Sequence, residues 1–404
     1  MATTNPFRPG AGHSPPFLAG REAEAAEFAQ LLEQNTILKN FALIGLRGSG
    51  KTVLLESLRT IAARRGWRWV GADLSESTSI SEDHLAIRLC TDLSLATSTI
   101  MVPNGSSRPA GFTSSAVAAK RPLNFAKLAG IHEKTPGLSV DKTKAVLEAA
   151  WAALAQASNA KGLIFAYDEA QNLADHAPKE QYPLSLLLDA FQSLQRKGLP
   201  LMLALTGLPT LVPRMVDART YAERMFRVVF LQSLQEVDSR QAIVKPIERL
   251  EDGIQLSDQS LDAIVRMSGG YPYFLQFIGK EVYDAFIQRA DRGAGAEVPV
   301  REIEQKLDTD FFAGRWARAT DRQRELMIAI AHVDASGDEF SVAQIVEQSR
   351  RLPSKPFSPS HATQMLATLS DHGLVFRNRH GRYSFAIPLL RRYILRQLER
   401  AHPL

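Results

Sequence analysis

Short, continuous apolar runs alternate along the chain with stretches of helical period. "FALIGL" (41–46), "GLIFAYDE" (162–169) and "LPLMLALTGL" (199–208) are apolar almost throughout and bounded by polar residues. That pattern suits strands buried on both faces of a parallel sheet. "AEAAEFAQLLEQ" (23–34), "KTVLLESLRTIAARRG" (51–66) and "DKTKAVLEAAWAALAQAS" (141–158) repeat their apolar positions with helical spacing, and "WRWVGADL" (67–74) reads as a further strand. Strands alternating with helices predict an α/β layered domain.

Two stretches break the pattern. Residues 1–16 are rich in Pro and Gly and lack an apolar core, which predicts a flexible tail and no secretory signal. Residues 97–137 are rich in Ser, Gly, Pro and Ala without a sustained period, which predicts a flexible insertion.

After Phe230 the strand signals stop. "QEVDSRQAIVKPIERLEDG", "SDQSLDAIVRMSGG" and "YPYFLQFIGKEVYDAFIQRA" predict a small all-helical subdomain. From about Asp308 come three more helical patterns, within 321–333, 341–351 and 358–373, and then two strand-like pieces around "RHG". Three helices followed by a short hairpin outline a C-terminal winged helix-turn-helix.

Composition changes this picture little. The chain has 404 residues, 45% hydrophobic and 23% charged, ordinary for globular domains and long enough for two or three of them. No run of about 18 apolar residues offers a membrane span, and a soluble cytoplasmic protein is the default expectation. The single cysteine, Cys90, excludes an internal disulfide framework and a multi-cysteine zinc site. Charge is more informative. From Phe311 onward there are 14 Lys and Arg against 8 Asp and Glu, while the whole chain carries only +5. The basic surplus therefore lies in the last quarter, favouring a polyanion partner there unless the face is simply solvated.

The strongest motif is "GLRGSGKT". Gly45, Gly50, Lys51 and Thr52 fit G-x-x-x-x-G-K-[ST], between a predicted strand and a predicted helix. The glycines let the backbone N–H groups of Arg47, Gly48, Ser49, Gly50 and Lys51 converge on phosphate oxygens, and the helix through Thr52 and Val53 adds its positive end. Lys51 would reach the β/γ phosphates of ATP and Thr52 would ligate Mg²⁺. The complementary acid should end another buried strand. Asp168 is placed to hold the metal and Glu169 to orient and polarise the attacking water. The same pair can instead cap the helix that "DEAQNL" opens.

With these motifs the chain resembles the AAA+ ATPases, nearest to the branch of replication-initiator-like and STAND signalling ATPases. "FLAGREAEAAEF" resembles the family's N-terminal element beside the adenine, through Gly20, Arg21 and Glu22. "LMLALTGLP" is similar to the sensor-1 strand, with Thr206 near the γ-phosphate. "YAERMFRVVFLQSL" resembles the segment bearing the arginine finger, with Arg224 preferred over Arg227. An ion pair of Arg224 with Glu223 or Asp217 is the alternative. "SGGYPYFLQ" resembles the glycine-x-proline element of the lid, through Gly270 and Pro272, where STAND-type members contact the base. Tyr271 and Pro272 stand where many members carry a sensor-2 arginine, and Arg266, one turn earlier, reads as a solvated helix residue.

The resemblance implies a P-loop AAA+ core with a parallel sheet over 17–232, an all-helical lid over 233–306 and a winged helix over 307–404. It implies ATP hydrolysis with Mg²⁺ and nucleotide-dependent self-association. In the winged helix, Ser358 and Pro359 predict a helix start. His361, Gln364 and Thr368 are then expected to face outward, with Arg377, Arg379, His380 and Arg382 around the wing. Such residues suit duplex DNA, the helix in the major groove and the wing along phosphates. Two functions follow: a DNA-associated ATPase switch, or a STAND-like signalling or defence ATPase gated by a protein partner, with the winged helix as an interaction or autoinhibitory module. A metabolic kinase is disfavoured, because a lid and winged helix stand where a small-substrate domain would be.

Overall fold

The computed structural model describes residues 4–10, 12–103, 120–250, 254–290, 297–333, 339–379 and 381–401. They form two compact units: Ala23–Ile44 with Leu54–Phe230, and Met1–Glu22 with Gly45–Val53 and Leu231–Leu404.

The first unit is built on a sheet. Its strands are β1 (Asn40–Gly45), β2 (Trp67–Val70), β5 (Gly162–Tyr167), β6 (Leu201–Gly207) and β7 (Phe226–Leu231), in the order β2-β5-β6-β1-β7; a separate ribbon joins β3 (Met101–Pro103) to β4 (Lys120–Pro122). β1 runs parallel to β6, from Phe41 opposite Ala204 to Ile44 opposite Gly207, and β5 is parallel to both β2 and β6. The carboxyl ends of β1, β5 and β6 therefore lie side by side. β1, β5 and β6 are buried at every position, as their unbroken apolar runs demand. Asn40 pays no penalty for its burial. Its Oδ1 accepts from the Leu203 amide at 2.8 Å, and its Nδ2 donates to Gln195 and the Met225 carbonyl. Helices Glu82–Thr97, Ser139–Ala157 and Pro183–Arg196 supply much of the core, with Phe191 set edge-on against Phe165 of β5 at 4.9 Å.

The expected insertion is only partly irregular. Residues 104–119 lie outside the described residues, but Phe125–Lys134 is a helix. Asn124 caps it by accepting from the Lys127 amide at 3.1 Å, and Leu128 is wholly buried. Leu128 and the partly buried Ile131 are the helix residues packed on the core, too few to register as periodicity.

The second unit is helical after β7. Glu236–Glu248, Asp258–Ser268 and Pro272–Ala290 are followed by Val300–Leu307, a π-helical stretch Asp308–Ala313 and the short helix Gly314–Ala317. Then come Asp321–Ala331, Val342–Ser349, Pro359–Asp371, the antiparallel hairpin of β8 (Val375–Arg379) and β9 (Arg382–Phe385), and Leu390–Ala401. The stretches expected as two domains, 233–306 and 307–404, share one apolar core. Aromatic rings run through it: Phe274 to Phe311 at 4.9 Å, Phe311 to Phe312 at 5.0 Å, Phe312 to Tyr393 at 5.1 Å. Ser358 accepts from the His361 amide and Pro359 begins the helix; Gly373 (φ +66°) follows its end.

The N-terminal stretch is packed against this unit, contrary to a flexible tail. Phe7 is buried, and a Cβ at Gly279 would lie 2.9 Å from its ring. Asn5 donates to the Lys280 carbonyl and Asp284, and the Arg8 amide donates to Gln276. Among the described residues, no helix is long and apolar enough to cross a membrane.

Candidate functional site

The phosphate loop leaves β1 at Gly45 and enters the helix Lys51–Arg64. Gly48 and Gly50 adopt φ of +80° and +88°, where a side chain is strained. Gly45 is required for another reason: a Cβ there would meet Ser49 Oγ at 2.6 Å. Lys51 is buried, and its Nζ donates to the carbonyls of Gly45 and Leu46, each at 3.1 Å. The lysine thus curls back over its own loop.

Ser49 Oγ is buried with no hydrogen-bond partner in the structure. An orphaned hydroxyl in a loop of converging amides beside a buried ammonium fits a polyphosphate anion. Arg21 braces the loop from behind, donating to the carbonyls of Ser49 (3.1 Å) and Gln232 (2.8 Å). Gly20 (φ +61°) lies against Asp238, whose carboxyl carbon would be 2.6 Å from a Cβ. Thr52 and Val53 occupy the first helical turn. The carbonyl of Gly270 (φ +72°) accepts from the Leu234 amide at 2.8 Å. Pro272 opens the helix Pro272–Ala290 and lies 3.6 Å from where a Gly50 Cβ would be, while the Tyr273 amide donates to the Gly48 carbonyl.

In the sheet unit, Asp168 follows β5 and Thr206 lies in β6. Thr206, fully buried, donates its hydroxyl to Asp168 Oδ1. The backbone fixes Asp168 too, its amide donating to Ala72 and its carbonyl accepting from Leu74. Glu169 sits in the left-handed region (φ 50°), its amide donating to Asp168 Oδ1 at 2.7 Å. A non-glycine residue there stores backbone strain of about 1–3 kcal/mol. The Glu169 carboxylate accepts from Gln171, whose Oε1 accepts in turn from the Leu208 amide. Glu169 precedes a 3₁₀ turn, Ala170–Asn172, without a side-chain cap bond.

One acidic neighbour escapes a sequence reading. Asp73, beyond β2, pairs by a parallel bridge with Asp168. Its carboxyl is pushed above the usual range by partial desolvation and then by the charges of Asp168 and Glu169. The polar break ending "WRWVGAD" was the available signal.

Arg224 is exposed on the short helix Ala222–Met225 and forms no ion pair among the described residues, with Glu223 and Asp217 included. Its carbonyl accepts from Lys39. Arg227 is engaged by Glu27. On the Pro359–Asp371 helix, His361 and Gln364 are exposed, whereas Thr368 is half-buried and donates to the Gln364 carbonyl. Arg377 is exposed on β8. Arg382 is half-buried and donates to Gln344 at 3.2 Å, drawn onto the domain body rather than left at the hairpin tip. Arg379 ends β8 opposite Arg382, and His380 lies outside the described residues.

Comparison with known proteins agrees with this geometry. Residues 18–216 match a family model described as AAA ATPase domain, and residues 309–394 match a domain of unknown function. No curated protein matches the sequence. The fold is similar to that of a Walker-type ATPase of Pyrococcus abyssi, at 17% identity over 94% of this chain and 96% of that one, with a TM-score of 0.57. It is also similar to the ORC2 protein of Aeropyrum pernix in its ADP form, at 14% identity over 97% of both chains, with a TM-score of 0.54. At such identities the likeness concerns the fold. The phosphate loop, the parallel sheet and the match over residues 18–216 together support an AAA+ P-loop ATPase.

Proposed function

We propose that the chain is an ATP-binding and ATP-hydrolysing molecular switch whose nucleotide state controls self-association and the position of a DNA-contacting winged helix. The observation that carries this reading lies within the C-terminal unit. The Gly48 carbonyl of the phosphate loop accepts from Tyr273, at the start of the lid helix that shares its core with the winged helix. A nucleotide that reshapes the loop must act on this contact, which is how a ligand biases a bistable element.

Lys51, released from the Gly45 and Leu46 carbonyls, neutralises β- and γ-phosphate charge, and Ser49 supplies its orphaned hydroxyl. Thr52 and Asp168 would each offer Mg²⁺ an oxygen ligand, and the ion would supply further charge neutralisation. Thr206 holds Asp168 in place. Glu169 orients the attacking water and takes its proton as the new P–O bond forms, while the bond between the γ-phosphorus and the bridging oxygen of ADP breaks. Arg224 completes the site of a neighbouring copy, which links hydrolysis to assembly.

The test is ATP turnover of the purified chain with and without duplex DNA at low and moderate salt, with Glu169→Gln as the variant that binds without cleaving. Stimulation by DNA that is lost with salt, and with removal of charge at Arg377, Arg379 and Arg382, supports this reading. Turnover indifferent to DNA overturns it in favour of a STAND-like ATPase gated by a protein partner. One contact favours that second reading: Gly373, just after the Pro359–Asp371 helix, lies against the Arg47 guanidinium of the phosphate loop, 3.5 Å from a Cβ position to Nη1.

A further inference from the structure

Strand β4 and the helix Phe125–Lys134, both within the stretch expected to be an irregular insertion, line a cleft of about 650 Å³. Arg121 and Pro122 reach it from the strand, and Lys127, Gly130, Ile131 and Lys134 from the helix. Between residues 120 and 136 there are four Lys and Arg and one carboxylate, Glu133, which does not line the cleft. Arg121, Lys127 and Lys134 form no ion pair among the described residues. Elsewhere in the sheet unit cations are answered: Lys144 pairs with Asp141 at 2.8 Å and Lys197 with Glu148 at 2.6 Å.

Gly130 supplies a second, independent observation. It lies in the middle of its helix, where glycine is destabilising relative to alanine. Its φ is negative, and a Cβ there would meet nothing within 4 Å. Neither the backbone nor the packing of the chain asks for the missing side chain. An occupant of the cleft would.

The spacing of the cations selects that occupant. Lys127 and Lys134 stand two helical turns apart, about 10.5 Å along the axis. A peptide in polyproline II conformation sets every third side chain on one edge, about 9 Å from the last. Two carboxylates so spaced match the two lysines, and an apolar residue between them matches Ile131 and Pro122. Other anions fit less well. A compact phosphate would use the first amides of the helix, but the Lys127 amide already donates to Asn124 at 3.1 Å. A single nucleic-acid strand asks for aromatic rings to stack on, and the described residues lining the cleft include none. A duplex is met by protruding helices and ribbons, not by a concave wall.

We propose that this cleft binds an acidic segment of a partner protein, with carboxylates three residues apart on Lys127 and Lys134, a further one on the Arg121 guanidinium, and an apolar side chain over Gly130. The inference goes beyond the nucleotide switch and does not depend on it, because no phosphate-loop residue lines the cleft.

The experiment is fluorescence anisotropy of a labelled peptide repeating glutamate, proline and leucine, titrated with the full chain. Its glutamine counterpart, oligothymidylate and duplex DNA are titrated beside it. The cleft variants are Lys127→Glu with Lys134→Glu, and Gly130→Leu. The control is Arg64→Glu with Arg68→Glu, the same change of net charge on exposed residues of the same unit. Circular dichroism melts establish that each is folded, as Gly130→Leu should be, its side chain entering open space. At low salt the acidic peptide should bind wild type more tightly than the glutamine counterpart does. Its affinity should fall about tenfold or more in both cleft variants and stay near wild type in the control. Gly130→Leu removes room without touching charge, so it separates the cleft from a general attraction between a basic chain and an acidic peptide. No binding to wild type, equal weakening in the control, or unchanged binding in Gly130→Leu overturns the proposal. A nucleic acid that binds more tightly than the peptide and is lost in both cleft variants overturns it in favour of nucleic acid. A cleft variant whose mass changes in size-exclusion chromatography overturns it in favour of a second copy of the chain. Should the double variant fail to fold, Gly130→Leu decides.

Discussion

The Tyr273 amide donates to the Gly48 carbonyl across 3.1 Å, and a Cβ on Gly48 would stand 3.0 Å from the Tyr273 Cβ. The loop and the helix Pro272–Ala290 are in contact at a position where the loop has no side chain. With φ at +80°, an alanine there carries a backbone cost of about 1–2 kcal/mol and pushes against Tyr273. Gly48→Ala should therefore melt at lower temperature and bind nucleotide at least about tenfold more weakly. Thermal melts and nucleotide titration check this. Wild-type affinity in the variant would show that the close approach is unimportant.

Thr206 and Asp168 give a second prediction. The Thr206 hydroxyl is fully buried and spends its proton on the Asp168 carboxylate. Thr206→Val keeps the shape and removes the donor. Removing one partner of a buried bond to a charged group costs about 1.5–3 kcal/mol, so the fold should survive with reduced stability. ATP turnover should fall by about tenfold or more, while nucleotide affinity stays near wild type, because the phosphate loop is untouched. If affinity falls and turnover at saturation does not, Thr206 is not orienting Asp168 for chemistry.

How much of this was legible in the sequence depends on how local each feature is. The phosphate loop could be read because a single stretch of eight residues fixes both its backbone freedom and its chemistry. Asp168 could be read because a wholly apolar run ends on it. Asp73 could not, since only the parallel pairing of β2 with β5 brings it beside Asp168. The packing of Arg315 over Phe311 and of Phe311 on Tyr273 could not be read either, since it joins distant segments. The bond of Arg382 to Gln344 could not be read in "RHGRYSF", because its partner lies on another segment. The common core of the last two stretches follows from aromatic residues whose partners no local period reveals.

The N-terminal stretch was misjudged because composition averages over its anchor. Phe7 is 4% exposed amid Pro and Gly, with its ring 6.4 Å from Tyr283 and seated where helix residue 279 has no side chain. Phe7→Ala should cost about 3 kcal/mol, the lower end for a buried phenylalanine, since a terminal segment can relax around the gap. Gly279→Ala should dislodge the same ring, so the double variant should be less destabilised than the two single effects added together. Urea melts of the three variants test this. Additive losses would mean that the ring and the glycine do not meet in solution.

Asp189 yields a pH prediction. Burial alone would raise its pKa, but hydrogen bonds from Arg219 and Tyr221, together with the Arg219 charge, outweigh it and hold the carboxyl below its ordinary value. The pair is bidentate: Arg219 Nε donates to Oδ1 at 2.8 Å and Nη2 to Oδ2 at 2.6 Å, while the Tyr221 hydroxyl donates to Oδ1 at 2.6 Å. A depressed carboxylate contributes stability that is fully present above its unfolded pKa of about 3.9 and lost as pH falls through the lower folded value. Both side chains are about one-third exposed (34% and 36%), so solvent screening limits the contribution to about 1 kcal/mol or less. Arg219→Ala should therefore be destabilised by that amount at pH 7, and the gap to wild type should close as pH falls below about 4. Urea melts at pH 7, 5 and 3.5 read the difference. A gap that stays constant across the series would mean that Arg219 contributes packing and its bond to the Ser185 hydroxyl, with no electrostatic hold on Asp189.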